Sequence, residues 1–176
     1  YVIPTERVHA VFNALNAEPK RLPLSLHIFE AKQIGANAFA LPGGVIVITD
    51  EMIRLAQTES EIAGVLAHEI GHVEHRHNLQ CMVFSGLSQA VSFMLLGDFS
   101  DSAAAASGVL LGTRYSRSQE SQADQYAARL MSSKGFEPAH LANILERLSV
   151  KSARYPAWFL YLANLTENHP LTKERV

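Results

Sequence analysis

Residues 58–74 read Thr-Glu-Ser-Glu-Ile-Ala-Gly-Val-Leu-Ala-His-Glu-Ile-Gly-His-Val-Glu, and the reading of the whole chain turns on them. Ile62, Val65, Leu66, Ile70 and Val73 recur at spacings of three and four, the apolar stripe of a helix. Thr58 followed by Glu61 predicts a capping box at its start. Inside this helix lies His68-Glu69-Ile70-Gly71-His72, an HExxH pattern. Residues four apart sit one turn apart on the same face, so His68 and His72 can converge on one zinc ion. Glu69 leaves that line toward the open side of the metal, where it can take a proton from water. Ile70 and Gly71 suit a helix packed closely beneath such a site. A chance match on an amphipathic helix is the plainer alternative, and a third ligand would count against it.

A catalytic zinc takes three protein ligands and keeps one position open. Downstream, Glu120-Ser121-Gln122-Ala123-Asp124 carries carboxylates at i and i+4 on a second predicted helix, about Ser118 to Ser132, ending near Gly135. Glu120 can reach the metal. Asp124, one turn on, can accept the proton of a ligand histidine and so set its tautomer. Ala123, Ala127 and Ala128 argue for close helix packing rather than an exposed acidic face. Four of the eight histidines fall within residues 68–77. His75 and His77 are expected to be exposed or structural, without a metal role, and His9, His27 and His140 are read as ordinary.

Outward from these helices the chain is organised simply. Val8, Val11, Phe12 and Leu15 predict an N-terminal helix closed by Pro19. Leu24–Glu30, Asn37–Leu41 and Val45–Ile48 are strand candidates, and Pro42-Gly43-Gly44 suits the turn between the last two. The expectation is an α+β fold: a small antiparallel sheet packed on a mainly helical body. Pro138 opens a further helix through His140, Ile144 and Leu148. Residues 77–97 carry no Asp, Glu, Lys or Arg, but Ser85, Ser88, Gln89 and Ser92 make a polar stripe. That predicts a buried or amphipathic helix ahead of a membrane span, with peripheral membrane contact through residues 79–97 as the alternative partner surface. Ala103–Leu111 could complete a helical hairpin.

The 176 residues fit one domain, 1–176, and 48% apolar with 18% charged residues is a globular composition. A formal net charge of −2 without a basic stripe argues against a nucleic-acid partner. Cys81 is the only cysteine, so no internal disulfide can form and the redox compartment stays open. The first residue, Tyr1, is not Met, which reads as a processed or trimmed chain.

HEIGH at 68–72, Asn-Ala-Phe-Ala-Leu-Pro-Gly-Gly at 37–44, SRSQESQAD at 116–124 and HPLTKER at 169–175 occur in the order found in one family. In these motifs the chain resembles the HtpX and CAAX prenyl protease type 1 family of zinc metallopeptidases, a gluzincin group with a zincin-like fold. The likeness runs from about Leu22 to Val176 and is nearest to the soluble, BepA-like periplasmic branch. The resemblance implies one zinc per chain, with His68, His72 and Glu120 as ligands and Glu69 as base. It implies Asp124 as the partner of His68. Asn37, Ala38, Phe39 and Ala40 resemble the edge strand that pairs with a substrate backbone, a mode that tolerates varied side chains. His169 resembles a His-Pro histidine that in the BepA-like branch sits on zinc as a fourth ligand, whereas in other gluzincins a histidine near the metal stabilises the oxyanion. The repeat domain and membrane spans of some relatives have no visible counterpart here.

The expected function is therefore zinc-dependent endopeptidase action on unfolded or misassembled protein, in a bacterial periplasm or cell envelope. The alternatives are a latent zinc-binding chaperone closed by His169 and a purely structural zinc domain. The last has no use for Glu69 and would favour cysteine ligands.

Overall fold

The computed structural model describes residues 2–30, 35–84 and 115–152. Helix α1 (Thr5–Leu15) buries Val8, Val11, Phe12 and Leu15, the four positions its spacing selects. Three short strands follow, β1 (Ser25–Phe29), β2 (Ala38–Leu41) and β3 (Val45–Thr49). Then come α2 (Asp50–Leu55), α3 (Glu59–Glu74), α4 (Arg117–Ser133) and α5 (Ala139–Ser152). The chain is also helical over residues 77–84.

The sheet is mixed, not antiparallel as expected. Its order is β1-β3-β2, with β2 antiparallel and β1 parallel to β3. The cause lies at Gly44. Its φ is +89°, and a Cβ there would lie 2.2 Å from the Pro23 carbonyl oxygen. The start of β1 thus docks on the hairpin turn, with Ser25 N donating to Gly44 O at 3.0 Å. Two strands that begin side by side run in the same direction, so β1 and β3 are parallel and β2 is left at the opposite edge. Alternation alone carries no information on strand direction.

Thr49 ends β3 and is wholly buried. Its hydroxyl oxygen accepts from Asn37 N at 2.9 Å and from Met52 N at 3.2 Å, which caps α2. Its proton is directed at the Gly35 and Asn37 carbonyls. One side chain therefore fixes both the entry to β2 and the exit from β3.

Helix α3 is buried from Glu61 through Val73 and packs against α1, β2, α4 and α5. Its predicted capping box forms only in half. Thr58 accepts from Glu61 N at 3.3 Å, but the Glu61 carboxylate accepts from Gln57 N at 2.7 Å and pairs with Arg147 of α5 instead of returning to Thr58. A buried carboxylate gains more from a cation than from a backbone amide. The complete box stands at α4, between Ser116 and Gln119. No helix among the described residues is long and apolar enough to cross a membrane. The amphipathic helix expected over 77–97 is helical as far as 84; the rest of it, the Ala103–Leu111 partner and His169 lie outside the described residues.

Candidate metal centre

The site forms where α3 and α4 approach most closely. At Gly71 a Cβ would lie 3.1 Å from both the Ala123 Cα and the Ala123 carbonyl oxygen. The absence of a side chain at 71 and the small one at 123 let the two backbones meet. Glu120 and Asp124 flank Ala123 by one turn or less and are thereby carried to the histidine face of α3.

Three buried groups converge there. His68 Nε2 and His72 Nε2 are 3.0 Å apart, and each lies 3.6 Å from a Glu120 carboxylate oxygen. All three donor atoms fall within 4.8 Å of one another, and the trio could hold a metal ion. Tetrahedral zinc with bonds of about 2.0–2.1 Å places neighbouring donors about 3.3 Å apart, so the observed separations fit that ion. The donor set, two imidazoles and a carboxylate, is that of a catalytic zinc rather than a structural one.

The far nitrogens of both imidazoles are engaged. Asp124 Oδ1 stands 2.9 Å from His68 Nδ1. His77 Nδ1 stands 2.9 Å from His72 Nδ1, and His77 Nε2 lies 3.2 Å from Gln122 Oε1. With Nδ1 of each ring turned to these neighbours, Nε2 of each is the atom facing the cluster. Burial holds the His77 imidazole below its ordinary pKa, against the opposing pull of Gln122, so it is neutral near pH 7.

Sequence reasoning missed His77. It is wholly buried, whereas its neighbour Arg76 is exposed. On a continued helix a residue five beyond His72 would face away from it. Arg76 takes φ +57°, which breaks the helix and swings His77 back. The only hint in the sequence was the density of histidines. His75 is half-buried, its ring stacked on His77 at 5.4 Å, in keeping with a structural role.

Tyr115 was also missed. Its ring stacks on His72 at 3.8 Å, its hydroxyl donates to Asn78 Oδ1, and Asn78 Nδ2 donates to Ala40 O at 2.9 Å. Burial and the negative charge of Glu69 push the Tyr115 hydroxyl far above its usual range, so it remains a donor. Glu69 is itself buried.

Asn37 precedes β2, and Ala38, Phe39 and Ala40 lie in it, at the sheet edge next to α3. Thr49 N donates to Asn37 O, so in the antiparallel ladder Phe39 and Leu41 also turn their main-chain groups to β3. The N–H and C=O groups of Ala38 and Ala40 therefore point away from β3, and Ala40 O meets Asn78.

Comparison with known proteins bears on what such an arrangement does. A family model described as peptidase family M48 matches residues 3–176. The chain is 29% identical to the beta-barrel assembly-enhancing protease of Escherichia coli (strain K12), over 98% of this chain and 37% of that protein. It is 28% identical to metalloprotease LoiP of the same organism, over 97% of this chain and 67% of the relative. Metalloprotease YcaL, also from that organism, is 25% identical over 97% of this chain and 66% of the relative. The chain thus spans little more than a third of the first of these proteins.

Proposed function

Since the chain belongs to peptidase family M48, the family its four motifs resemble, we propose that it is a zinc-dependent endopeptidase forming one catalytic domain over residues 1–176. His68, His72 and Glu120 hold the metal in this reading. The observation that carries it is the convergence of their three buried donor atoms within 4.8 Å, from two helices brought together at Gly71 and Ala123.

A zinc ion held there supplies Lewis acidity, drawing the pKa of water toward about 7 and polarising a scissile carbonyl. The chain's own groups do the rest. Glu69 takes one proton from the attacking water as its oxygen bonds to the carbonyl carbon, then hands that proton to the leaving amine nitrogen as the C–N bond breaks. Asp124 holds the His68 ring through Nδ1. His169 either stabilises the oxyanion or closes the site as a fourth ligand.

The outward main-chain groups of Ala38 and Ala40 are suited to take an extended substrate as an added strand. Asn37 and Phe39 complete that edge. Strand addition reads main chain and suits unfolded or misassembled protein, which agrees with a relative named for beta-barrel assembly. The natural setting in this reading is protein quality control in a bacterial periplasm or envelope. Elemental analysis of the purified chain and cleavage of casein by wild type and Glu69→Gln test the proposal. About one zinc per chain with cleavage lost only in the variant is expected. A chain that takes up no zinc, or a variant that cleaves like wild type, overturns it.

A further inference from the structure

The two metal-facing histidines have different backing. Behind His68 is a carboxylate, Asp124. Behind His72 is a second imidazole, His77, and behind that the side-chain amide of Gln122. From this geometry we infer that His77 is a positioning residue, which fixes His72 in the tautomer that presents a bare Nε2 to the metal. The inference rests on His72 being a zinc ligand.

The proton count supports it. A ligating His72 carries its proton on Nδ1, and that proton points at His77 Nδ1, 2.9 Å away. His77 Nδ1 must then be the acceptor, which puts its own proton on Nε2. That proton meets Gln122 Oε1 at 3.2 Å, an atom that can only accept. Every donor in this series finds an acceptor. The opposite tautomer would place a proton on His77 Nδ1 and force one onto His72 Nε2, where it would block the metal.

The backbone is bent to make this contact. Arg76 occupies the left-handed region at φ +57°, just past the end of α3, where glycine is the usual residue. A side chain there is costly. The turn closes through Arg76 N to Val73 O at 3.0 Å, and the helical stretch restarts with Gln80 N donating to Arg76 O at 3.0 Å. Its result is to return His77 to full burial against His72.

Zinc affinity measured by chelator competition on the full chain tests this without recourse to activity. His77→Leu should weaken zinc binding about 10–100-fold, the usual cost of losing such a partner. His77→Asn should recover most of the loss, because Asn Oδ1 occupies nearly the place of Nδ1 and can accept from His72. A merely structural role predicts the reverse order, since Leu suits a buried position better than Asn does. Substituting Co²⁺ should give a shifted visible spectrum in His77→Leu and a near-native one in His77→Asn. If His77→Leu does not fold, the exposed Gln122→Leu decides: a several-fold loss of affinity is expected, and wild-type affinity overturns the relay. Equal zinc affinity in wild type and His77→Leu also overturns it. A wild-type chain that binds no zinc defeats instead the ligand reading on which the inference stands.

Discussion

Gly71 faces the backbone of Ala123 so closely that a Cβ at position 71 would lie 3.1 Å from the Ala123 Cα and carbonyl oxygen, and this approach brings together the two helices that build the site. The atoms that such a Cβ would crowd belong to the Ala123 backbone, which cannot yield by rotating a side chain. Gly71→Ala should push α4 outward, destabilise the protein by about 1–3 kcal/mol and separate Glu120 from the histidines. Thermal unfolding together with zinc titration checks this. Unchanged stability and unchanged zinc affinity would show that the approach is looser than it looks.

Glu69→Gln separates metal binding from chemistry. Gln has a similar size and cannot act as a base. The variant should keep its zinc and its melting temperature, while kcat on an unstructured protein falls about 10²–10⁴-fold.

Ligands and their partners should grade differently. His68→Ala and His72→Ala should abolish stoichiometric zinc, because two remaining ligands hold the ion poorly. Asp124→Asn should cost only about 10–100-fold in affinity, since the Asn carbonyl can still face His68 Nδ1. Competition with a graded series of chelators ranks them. If Asp124→Asn loses all metal while Glu120→Gln retains it, the two carboxylates have been assigned in the wrong order.

Asn78 occupies the Ala40 carbonyl, an acceptor that an added substrate strand would need. Asn78→Ala should remove that competitor and lower KM by about 2–10-fold, the equivalent of one neutral hydrogen bond. Steady-state kinetics on a long unstructured peptide give the answer. A higher KM would mean that Asn78 supports substrate binding instead of competing with it.

The two roles for His169 differ in sign. Closure of the fourth position predicts that His169→Ala raises kcat/KM, and this is the result expected on the closure reading. Oxyanion stabilisation predicts a fall of about 10²-fold or more. No change would leave His169 with neither role.

The sequence by itself determined the main helices and the candidate site residues they carry. A period near 3.6 in Ile62, Val65, Leu66, Ile70 and Val73 follows from helix geometry, and the four-residue spacing in HExxH brings two imidazoles to one face whatever surrounds them. Gly71 announced a close partner in the same way, since a missing side chain marks room for another backbone. Which partner it was, and everything that depends on long-range placement, only the tertiary structure decided. The parallel pairing of β1 with β3 rests on Pro23 meeting Gly44, a contact between residues that alternation cannot relate. Glu61 left its predicted cap because Arg147 arrives from a helix 86 residues away. His77 reaches His72 through the left-handed turn at Arg76, a conformation that no local preference of arginine foretells. Local periodicity is set by backbone geometry within a few residues, whereas strand direction, ion-pair choice and the backing of His72 are settled by whatever the remainder of the chain packs against them.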